Sequence, residues 1–504
     1  MIPKITFKVR SFTYLLSAMA HMFFDNPAGL LDRIGERARQ SGLNNLGALL
    51  KFVSHGKRQT EFEQRIRVGD LTGALELPRT RASQKRRLRE QQSLLESEPI
   101  VSRNAGLVSD KRVLAYLTNS YPHTLSGYTV RSGKVLESLS KAGCGVLGVT
   151  RLGYPLTIGK IPRAEIEEAE GARYARLVPI LHKKSSLARM EDEVNLLVQL
   201  AKRCRANLLY TTTDFRNALV VSKAAEELRI PWIYEVRGEP EKTWLSRVPS
   251  NNREEASKSE YFTKRRALET KAMLASTAVI ALSEVSKTQL IGRGIPISKI
   301  WVVPNCVDAD LLHAKIDKSE ARAKLNLPNR VWVGAITSVV EYEGLDTLIE
   351  ALHHLPDHIH LLIVGDGVHL PNLRRQAQDL GLEGRVSFVG RKPREEIALW
   401  YSALDLFVLP RKNYEVCRTV TPIKAMEAMA LGVPLVASDL PAVREVTGDC
   451  AKYFPAEDPQ SLAEVIVSAL NDESLAEKGK SWAATRTWDH AAKVYGDLLG
   501  SLTA

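Results

Sequence analysis

The 504-residue chain is 44% apolar and 25% charged and carries a net charge of +12 at neutral pH. This is the balance of a globular protein, too long for one ordinary domain, so two to four domains are expected. Five scattered cysteines, Cys144, Cys204, Cys306, Cys417 and Cys450, form no C-x-x-C pair, which argues against a disulfide framework or a zinc site and suits a reducing cytosol. No run reaches the roughly 18 apolar residues of a membrane span.

The positive charge is concentrated at the start. Residues 1–109 hold 18 Lys and Arg against 10 Asp and Glu, whereas the other 395 residues hold 52 against 48. A basic arm of this kind suits an anionic membrane surface or a polyanion, and equally an ordinary solvated helical face. Phe12–Phe24 comes nearest to a span but is broken by Thr13, Ser17 and His21. Lys4, Lys8, Arg10 and the Ala18-Met19-Ala20 triplet imitate a signal peptide whose apolar part is too short. Phe12, Leu15, Leu16, Met19 and Phe23 share one helical face, so a helix packed on a core is expected first and a helix on a membrane surface second. The rest of residues 1–109 reads as helical, with breaks near Pro27, Gly56 and Pro78, a basic stretch Arg79–Arg89 and a linker Ser97–Asp110.

From Arg112 onward short apolar runs alternate with helical patterns. Strands are expected at Val113–Leu117, Gly145–Val149, Asn207–Tyr210, Trp232–Glu235 and Ala278–Leu282, with a helix at Val130–Lys141. The rhythm restarts after residue 330, with strands at Val331–Ile336, His360–Val364, Val386–Val389, Leu406–Leu409 and Pro434–Ala437. Helices are expected between them at Gly344–Leu352, Leu370–Leu380 and Ile423–Leu431. Alternation of this kind implies parallel βαβ units. The expected fold class is α/β, with two Rossmann-like doubly wound domains (110–315 and 316–480) facing a cleft at the carboxyl ends of both sheets. A helical extension (1–109) precedes them, and a final helix (481–504) crosses back to the first domain. His353, His354, His358 and His360 fall in a helix–turn–strand setting that favours surface or packing roles over a metal site, and Trp482 and Trp488 read as packing residues.

The most informative segment runs from Leu409-Pro410-Arg411 to Thr421-Pro422-Ile423-Lys424-Ala425-Met426-Glu427 and on to Pro434. A strand enters a loop that opens a helix, and helix-opening N–H groups attract phosphate. Arg411 and Lys424 add full positive charge there, and Glu427, one turn in, is placed to accept from two ribose hydroxyls. The plain alternative is a helix start with a favourable acidic residue.

This segment resembles the donor-site signature of glycosyltransferase family four, the retaining group 1 family with the GT-B fold. Other similarities follow in order: Ser126-Gly127-Tyr128-Thr129-Val130-Arg131, Tyr234-Glu235-Val236-Arg237-Gly238, Val302-Val303-Pro304-Asn305-Cys306-Val307-Asp308, Tyr342-Glu343-Gly344-Leu345-Asp346 and Val364-Gly365-Asp366-Gly367. The resemblance covers about residues 112–500. It implies a donor site in which Glu427 holds the ribose, Arg411 and Lys424 neutralise the diphosphate, and the loop Val420–Ile423, with Thr421, Pro422 and Ile423, presents N–H groups. It further implies that Ser126 and Gly127 approach the diphosphate and that Ser338 lies in the first loop of the second domain. Gly390 and Arg391 would meet the base, and Glu235 and Arg237 would face the transferred sugar.

The chain departs from that pattern at three places. Thr419 stands at the first glutamate of Glu-x7-Glu, Thr337 at a usual glycine, and Ser338 and Glu343 where Arg and Lys are usual. The resemblance implies a retaining, metal-independent transferase without a cofactor, in which the leaving phosphate helps deprotonate the acceptor. The expected partners are a nucleoside-diphosphate sugar, a glycan or lipid-linked acceptor, and an anionic membrane surface through residues 1–109, with no nucleic acid. The expected location is cytoplasmic, on the inner face of the cell membrane. Two other readings stay open: a non-catalytic, membrane-associated scaffold, which Thr419 and the altered Ser338 loop favour, and a nucleotide-sugar epimerase. Transfer or hydrolysis of donor separates the first, and product identity the second.

Overall fold

The computed structural model describes residues 6–25, 60–78, 80–101 and 110–502, with only the backbone for residues 22–25. The breaks expected at Pro27 and Gly56, the Phe23 side chain, Arg79 and residues 102–109 of the linker lie outside them. The chain forms two compact units: one runs to Val279 and includes the last residues from Leu499, and the other is Ile280–Leu498.

Among the described residues, the first unit opens on the helices α1 (Phe7–Asp25), α2 (Glu61–Val68), α3 (Leu71–Glu76) and α4 (Ala82–Leu95). Tyr14 and Ser11 on α1 are buried, and Tyr14 packs with Leu156 and Val178. Its hydroxyl lies 3.0 Å from His182 Nδ1. Of the apolar face read from the sequence, Leu15 packs beside Tyr14, whereas Phe12 at 60%, Leu16 at 51% and Met19 at 47% are exposed. Tyr14 wins the inward position because it offers both a ring for the core and a hydroxyl for His182. Burial pushes that imidazole down to about 4, so it stays neutral at physiological pH. Helices α2–α4 are fastened to the rest of the unit by polar contacts. Glu260 accepts from Thr72 N at 3.0 Å, and Glu90 accepts from Ser186 Oγ at 2.8 Å.

The first sheet contains β1 (Arg112–Leu117), β2 (Gly145–Thr150), β3 (Ile166–Ala169), β4 (Ala172–Arg176), β5 (Leu208–Thr212), β6 (Trp232–Val236), β7 (Ala278–Ala281) and β8 (Ile300–Val302). Its order is β3-β4-β2-β1-β5-β6-β7-β8. β1 pairs in parallel with both β2 and β5, so the order reverses between β1 and β5. β3 and β4 form an antiparallel hairpin that the sequence reading missed. Its Ile166-Glu167-Glu168-Ala169 run looks solvated, yet Glu167 is buried, with its carboxylate 2.8 Å from both Arg176 Nε and His123 Nε2.

Helices α5 (Gly127–Lys141), α6 (Ser186–Cys204), α7 (Phe215–Leu228) and α8 (Glu260–Ala275) connect these strands. α6 shows how the sequence builds them. Ser185 caps its start by accepting from Ala188 N at 3.4 Å, and Arg205 ends it in the left-handed conformation at φ 54°. Met190, Val194, Leu197, Val198 and Ala201 recur at helical spacing and are buried. Each of the larger side chains contributes roughly 1.5–3 kcal/mol by burial.

The second unit holds β9 (Val331–Ile336), β10 (Ile359–Val364), β11 (Val386–Gly390), β12 (Leu406–Leu409), β13 (Leu435–Ser438) and β14 (Lys452–Phe454) in the order β11-β10-β9-β12-β13-β14. All five pairings are parallel, and the order reverses between β9 and β12. Side chains of each strand divide by alternation. Val333, Ala335, Leu361, Ile363 and Val408 enter one core, and Trp332, Ile336, Leu362, Val364 and Phe407 the other. Helices cover both faces, which explains why the strands read as continuous apolar runs. Among them are α9 (Leu345–Ala351), α10 (Leu370–Asp379) and α11 (Ile423–Ala430). His360 rests against Trp332 with ring centroids 5.6 Å apart, while His353, His354 and His358 are exposed. Trp482 donates from Nε1 to Val446 O at 2.9 Å, and Trp488 is buried.

Candidate functional site

In an open parallel sheet, a crevice forms at the carboxyl ends of the strands where the order reverses. In the second unit that place lies beyond β9 and β12. Thr337 and Ser338 follow β9, and Pro410 and Arg411 follow β12. The loop after β9 is clamped by its neighbours: Thr337 N donates to Val364 O at 2.9 Å, and Val339 N to Asp366 O at 3.1 Å. Gly365 has φ +147°, and a Cβ there would lie 1.8 Å from Thr337 O, while one on Gly367 would lie 2.1 Å from Val339 O. Only glycine permits both approaches. Ser338, between the clamped residues, is exposed.

The sequence-nominated residues Arg411 and Lys424 meet here around a residue that was not nominated, Glu343. Arg411 Nη2 donates to Glu343 Oε1 at 3.0 Å, and Lys424 Nζ lies 3.3 Å from the same oxygen. Lys424 also donates to Thr337 Oγ1. Burial alone would raise the Glu343 carboxyl, but Arg411 and Lys424 hold it at about 2. Burial lowers the Lys424 ammonium, which Glu343 partly offsets. Arg411 is buried, and its other arm donates from Nη1 to Val420 O at 2.8 Å. Lys424 is the more open of the two, with its side chain 26% exposed against 9%. One carboxylate between two cations leaves a net single positive charge.

The loop that opens α11 is pinned at consecutive carbonyls. Arg411 holds Val420 O, and Asn305 Nδ2 donates to Thr421 O at 3.0 Å. Asn305 was legible as part of a turn motif, not as the support of this loop. Thr421 and Pro422 are buried, and Ile423 and Lys424 are half-buried. The first N–H groups of α11 have no intrahelical acceptor and can meet an anion. Glu427, one turn into α11, is half-buried and accepts from the Tyr401 hydroxyl at 3.1 Å. Burial raises its carboxyl above the ordinary range, with Tyr401, Arg394 and Lys424 opposing. Tyr401 was missed, since an aromatic in a helix of apolar residues reads as core. Gly390 (φ +73°) and the exposed Arg391 lie at the same carboxyl edge, beyond the outermost strand β11.

In the first unit, Ser126 caps α5 by accepting from Thr129 N at 3.3 Å, and Thr129 Oγ1 accepts from Ser126 N at 2.9 Å. Gly127 is exposed, with nothing within 4 Å of where its Cβ would stand. Glu235, at the end of β6, is fully buried. Arg131 of α5 donates to its Oε1 from Nε at 2.8 Å, and Arg237 donates to Oε2 from Nε at 2.5 Å. Against the effect of burial, the two guanidinium groups hold the Glu235 carboxyl at about 2. Arg237 further donates to Ser132 Oγ at 2.7 Å and Tyr128 O at 3.0 Å and stacks 4.6 Å over the Tyr128 ring. Glu235 is thus a permanently ionised counter-ion tying α5 to β6. Arg131, the third member, was readable only as a charged residue on an otherwise buried helical face.

Among the described residues, no cluster of three or more His, Cys, Asp or Glu is arranged to hold a metal, and no helix is long and apolar enough to cross a membrane.

Two doubly wound, mostly parallel sheets, the second with a helix-opening loop, a lysine and a carboxylate one turn into the helix at its switch point, define the GT-B class of fold. A model of group 1 glycosyl transferases matches residues 328–472, and a model of the glycosyl transferase 4-like domain matches residues 126–306. The chain belongs to the group 1 glycosyltransferases. It is 27% identical to a D-inositol 3-phosphate glycosyltransferase of Xylanimonas cellulosilytica over 47% of this chain and 59% of that one. It is 25% identical to a GDP-mannose-dependent α-(1-6)-phosphatidylinositol monomannoside mannosyltransferase of Mycobacterium tuberculosis over 44% and 61%. The chain spans about three-fifths of the length of these relatives. The crystal structure of HepE from Anabaena in complex with UDP-glucose shares the fold, with a TM-score of 0.59 and 20% identity over 77% of this chain and 99% of that one.

Proposed function

We propose that this protein is a retaining glycosyltransferase that moves a sugar from a nucleoside-diphosphate sugar to a glycan or lipid-linked acceptor. The observation that carries the proposal is the placement of Lys424 and the opening of α11 together at the switch point of the second sheet, with Glu427 one turn further on. The family membership and the relatives' names support the same reading.

In this reaction the bond between the anomeric carbon and the phosphate oxygen breaks, and the diphosphate leaves with more negative charge than it had in the bound donor. Lys424 and the N–H groups opening α11 meet that charge. Arg411 acts at one remove, because its guanidinium is committed to Glu343 and Val420 O and so fixes the loop. Glu427 accepts from the ribose hydroxyls, with Tyr401 fixing its orientation. Gly390 and Arg391 border the base, and Ser338 borders the sugar or diphosphate. In the first unit, Ser126 and Gly127 open α5, and Arg237, held by Glu235, donates to Tyr128 O in the first turn of that helix. The leaving phosphate takes the acceptor proton, and Lys424 with the N–H groups opening α11 meets the diphosphate charge in place of a resident metal. The membrane surface is met by the exposed apolar face of α1.

Calorimetric titration with UDP-, GDP- and ADP-sugars, followed by transfer assays with the donor that binds, tests the proposal. Saturable binding of one donor that is weakened in Glu427→Ala, with transfer from that donor slowed in Lys424→Ala, supports it. Absence of binding by every donor overturns it.

A further inference from the structure

The first sheet has its own switch point, between β1 and β5, and the groups gathered there take no part in the function proposed above. Arg151 follows β2, Asp214 follows β5, Arg216 lies in the first turn of α7, and Arg265 reaches in from α8. Arg151 is fixed by two bonds, from Nη2 to Asp214 Oδ1 at 2.6 Å and from Nε to Asn217 Oδ1 at 2.7 Å. Arg265 is fixed by Tyr261, whose hydroxyl accepts from Nη1 at 2.5 Å, and by Asp214 Oδ2 at 3.6 Å. Its Nε is buried and has no hydrogen-bond partner. Arg216 is exposed and makes no hydrogen bond or ion pair among the described residues.

Arg151 and Arg265 therefore share one carboxylate, and Arg216 stands close enough to feel its charge without touching it. The other acids close by are engaged by other donors. Glu193 is half-buried, accepts from Leu152 N at 2.5 Å and from the Tyr116 hydroxyl, and burial raises its carboxyl. Glu269 accepts from Phe215 N at 2.8 Å and the Tyr234 hydroxyl at 2.6 Å, and burial raises it to about 8. Asp214 is the carboxylate that Arg151 and Arg265 touch, and the arginines hold it low against the effect of burial. Three guanidinium groups gathered at one carboxylate suit a phosphate monoester, which carries roughly −1.5 to −2 near neutral pH. Guanidinium forks suit such oxygens, and here two are held in place while the third is free to close.

We propose that Arg151, Arg216 and Arg265 form a binding site for a terminal phosphate group at the carboxyl edge of the first sheet. Its assignment to a phosphorylated acceptor rests on the transferase reading; the anion site itself does not. A soluble phosphate ester and an anionic lipid headgroup offer the same chemistry.

The test titrates the full chain with inorganic phosphate at constant ionic strength, using wild type, Arg216→Ala, Arg216→Lys and Lys424→Ala. Among the described residues Arg216 holds no other, so its substitution leaves the fold intact, which a thermal melt verifies. The expected result is saturable binding, weakened tenfold or more in Arg216→Ala, partly kept in Arg216→Lys and unchanged in Lys424→Ala. Flotation with vesicles of phosphatidate or of phosphatidylcholine then separates the sources. Phosphatidate-dependent flotation lost in Arg216→Ala marks a lipid headgroup, and its absence marks a soluble ester. Binding that is equal in wild type and Arg216→Ala, or lost only in Lys424→Ala, overturns the site. Phosphate binding through Arg216 in a protein that binds no nucleotide-sugar would overturn the transferase reading and leave this one standing.

Discussion

The Arg411 guanidinium donates to the Glu343 carboxylate at 3.0 Å, and this bond divides the labour between two cations that the sequence presents as equivalent. Arg411 is spent on Glu343 and on the Val420 carbonyl, whereas Lys424 keeps the more open position.

Lys424→Ala should lower kcat by about a hundredfold, or on the order of 3 kcal/mol, with a smaller change in KM, because its contact strengthens as the leaving group gains charge. Glu427→Ala should instead raise KM with little change in kcat, since ribose contacts are similar before and during reaction. Steady-state kinetics with the donor varied distinguishes the two. Equal kcat losses in both variants would contradict these roles.

Arg411→Ala should destabilise the second unit by about 3–5 kcal/mol, because it strips a buried carboxylate of its main partner. Chemical denaturation measures this. Full stability with a lowered kcat would return Arg411 to direct contact with the diphosphate.

Acid should weaken the same unit in a defined range. The Glu343 carboxyl lies at about 2 in the fold against an ordinary 4.5, so its contribution is full above 4.5 and is lost as pH falls towards 2. The contribution is roughly 3 kcal/mol. Melting temperatures measured from pH 6 to pH 2.5 should fall less steeply in Glu343→Gln, from a lower starting value. Parallel curves would refute the assignment.

Glu269 in the first unit should behave oppositely. Burial raises it to about 8, so unfolding releases a proton between pH 4.5 and 8, and stability declines as pH rises through that range. Glu269→Gln should flatten the decline and match or exceed wild type at pH 8. Urea unfolding at pH 5, 6.5 and 8 checks this.

The α1 face should control membrane contact. Phe12→Asp with Leu16→Asp should reduce sedimentation with anionic vesicles by more than tenfold, since each apolar side chain contributes roughly 1.5–3 kcal/mol when buried. Nucleotide-sugar affinity should not change. Unaltered sedimentation would remove α1 from any membrane role.

The parallel strands were legible because burial on both faces leaves short, unbroken apolar runs; Val331–Ile336 and Leu406–Leu409 coincide with β9 and β12. The edge hairpin was not, because Glu167 and Arg176 neutralise each other inside it and read as surface charges in a linear chain. The α1 stripe was visible, but spacing alone does not say which of two apolar faces turns inward, and Tyr14 decides that through a partner 168 positions away. Lys424 and Glu427 were nominated from the sequence because they share a helix with the loop beside them. Glu343 and Asn305 were not, because each reaches this place from a distant part of the chain, and Tyr401 was not, because its apolar helix reads as core.

The clamp on the loop after β9 has a consequence for how this protein can diversify. Carbonyls of Thr337 and Val339 press on glycines of the neighbouring strand's loop, so an inserted or deleted residue on either side would break the match. Ser338, standing between them with its side chain free, tolerates any change of chemistry that leaves the backbone length alone. Variation at this corner is therefore expected as substitution at one exposed position, while insertions accumulate in loops that nothing presses against.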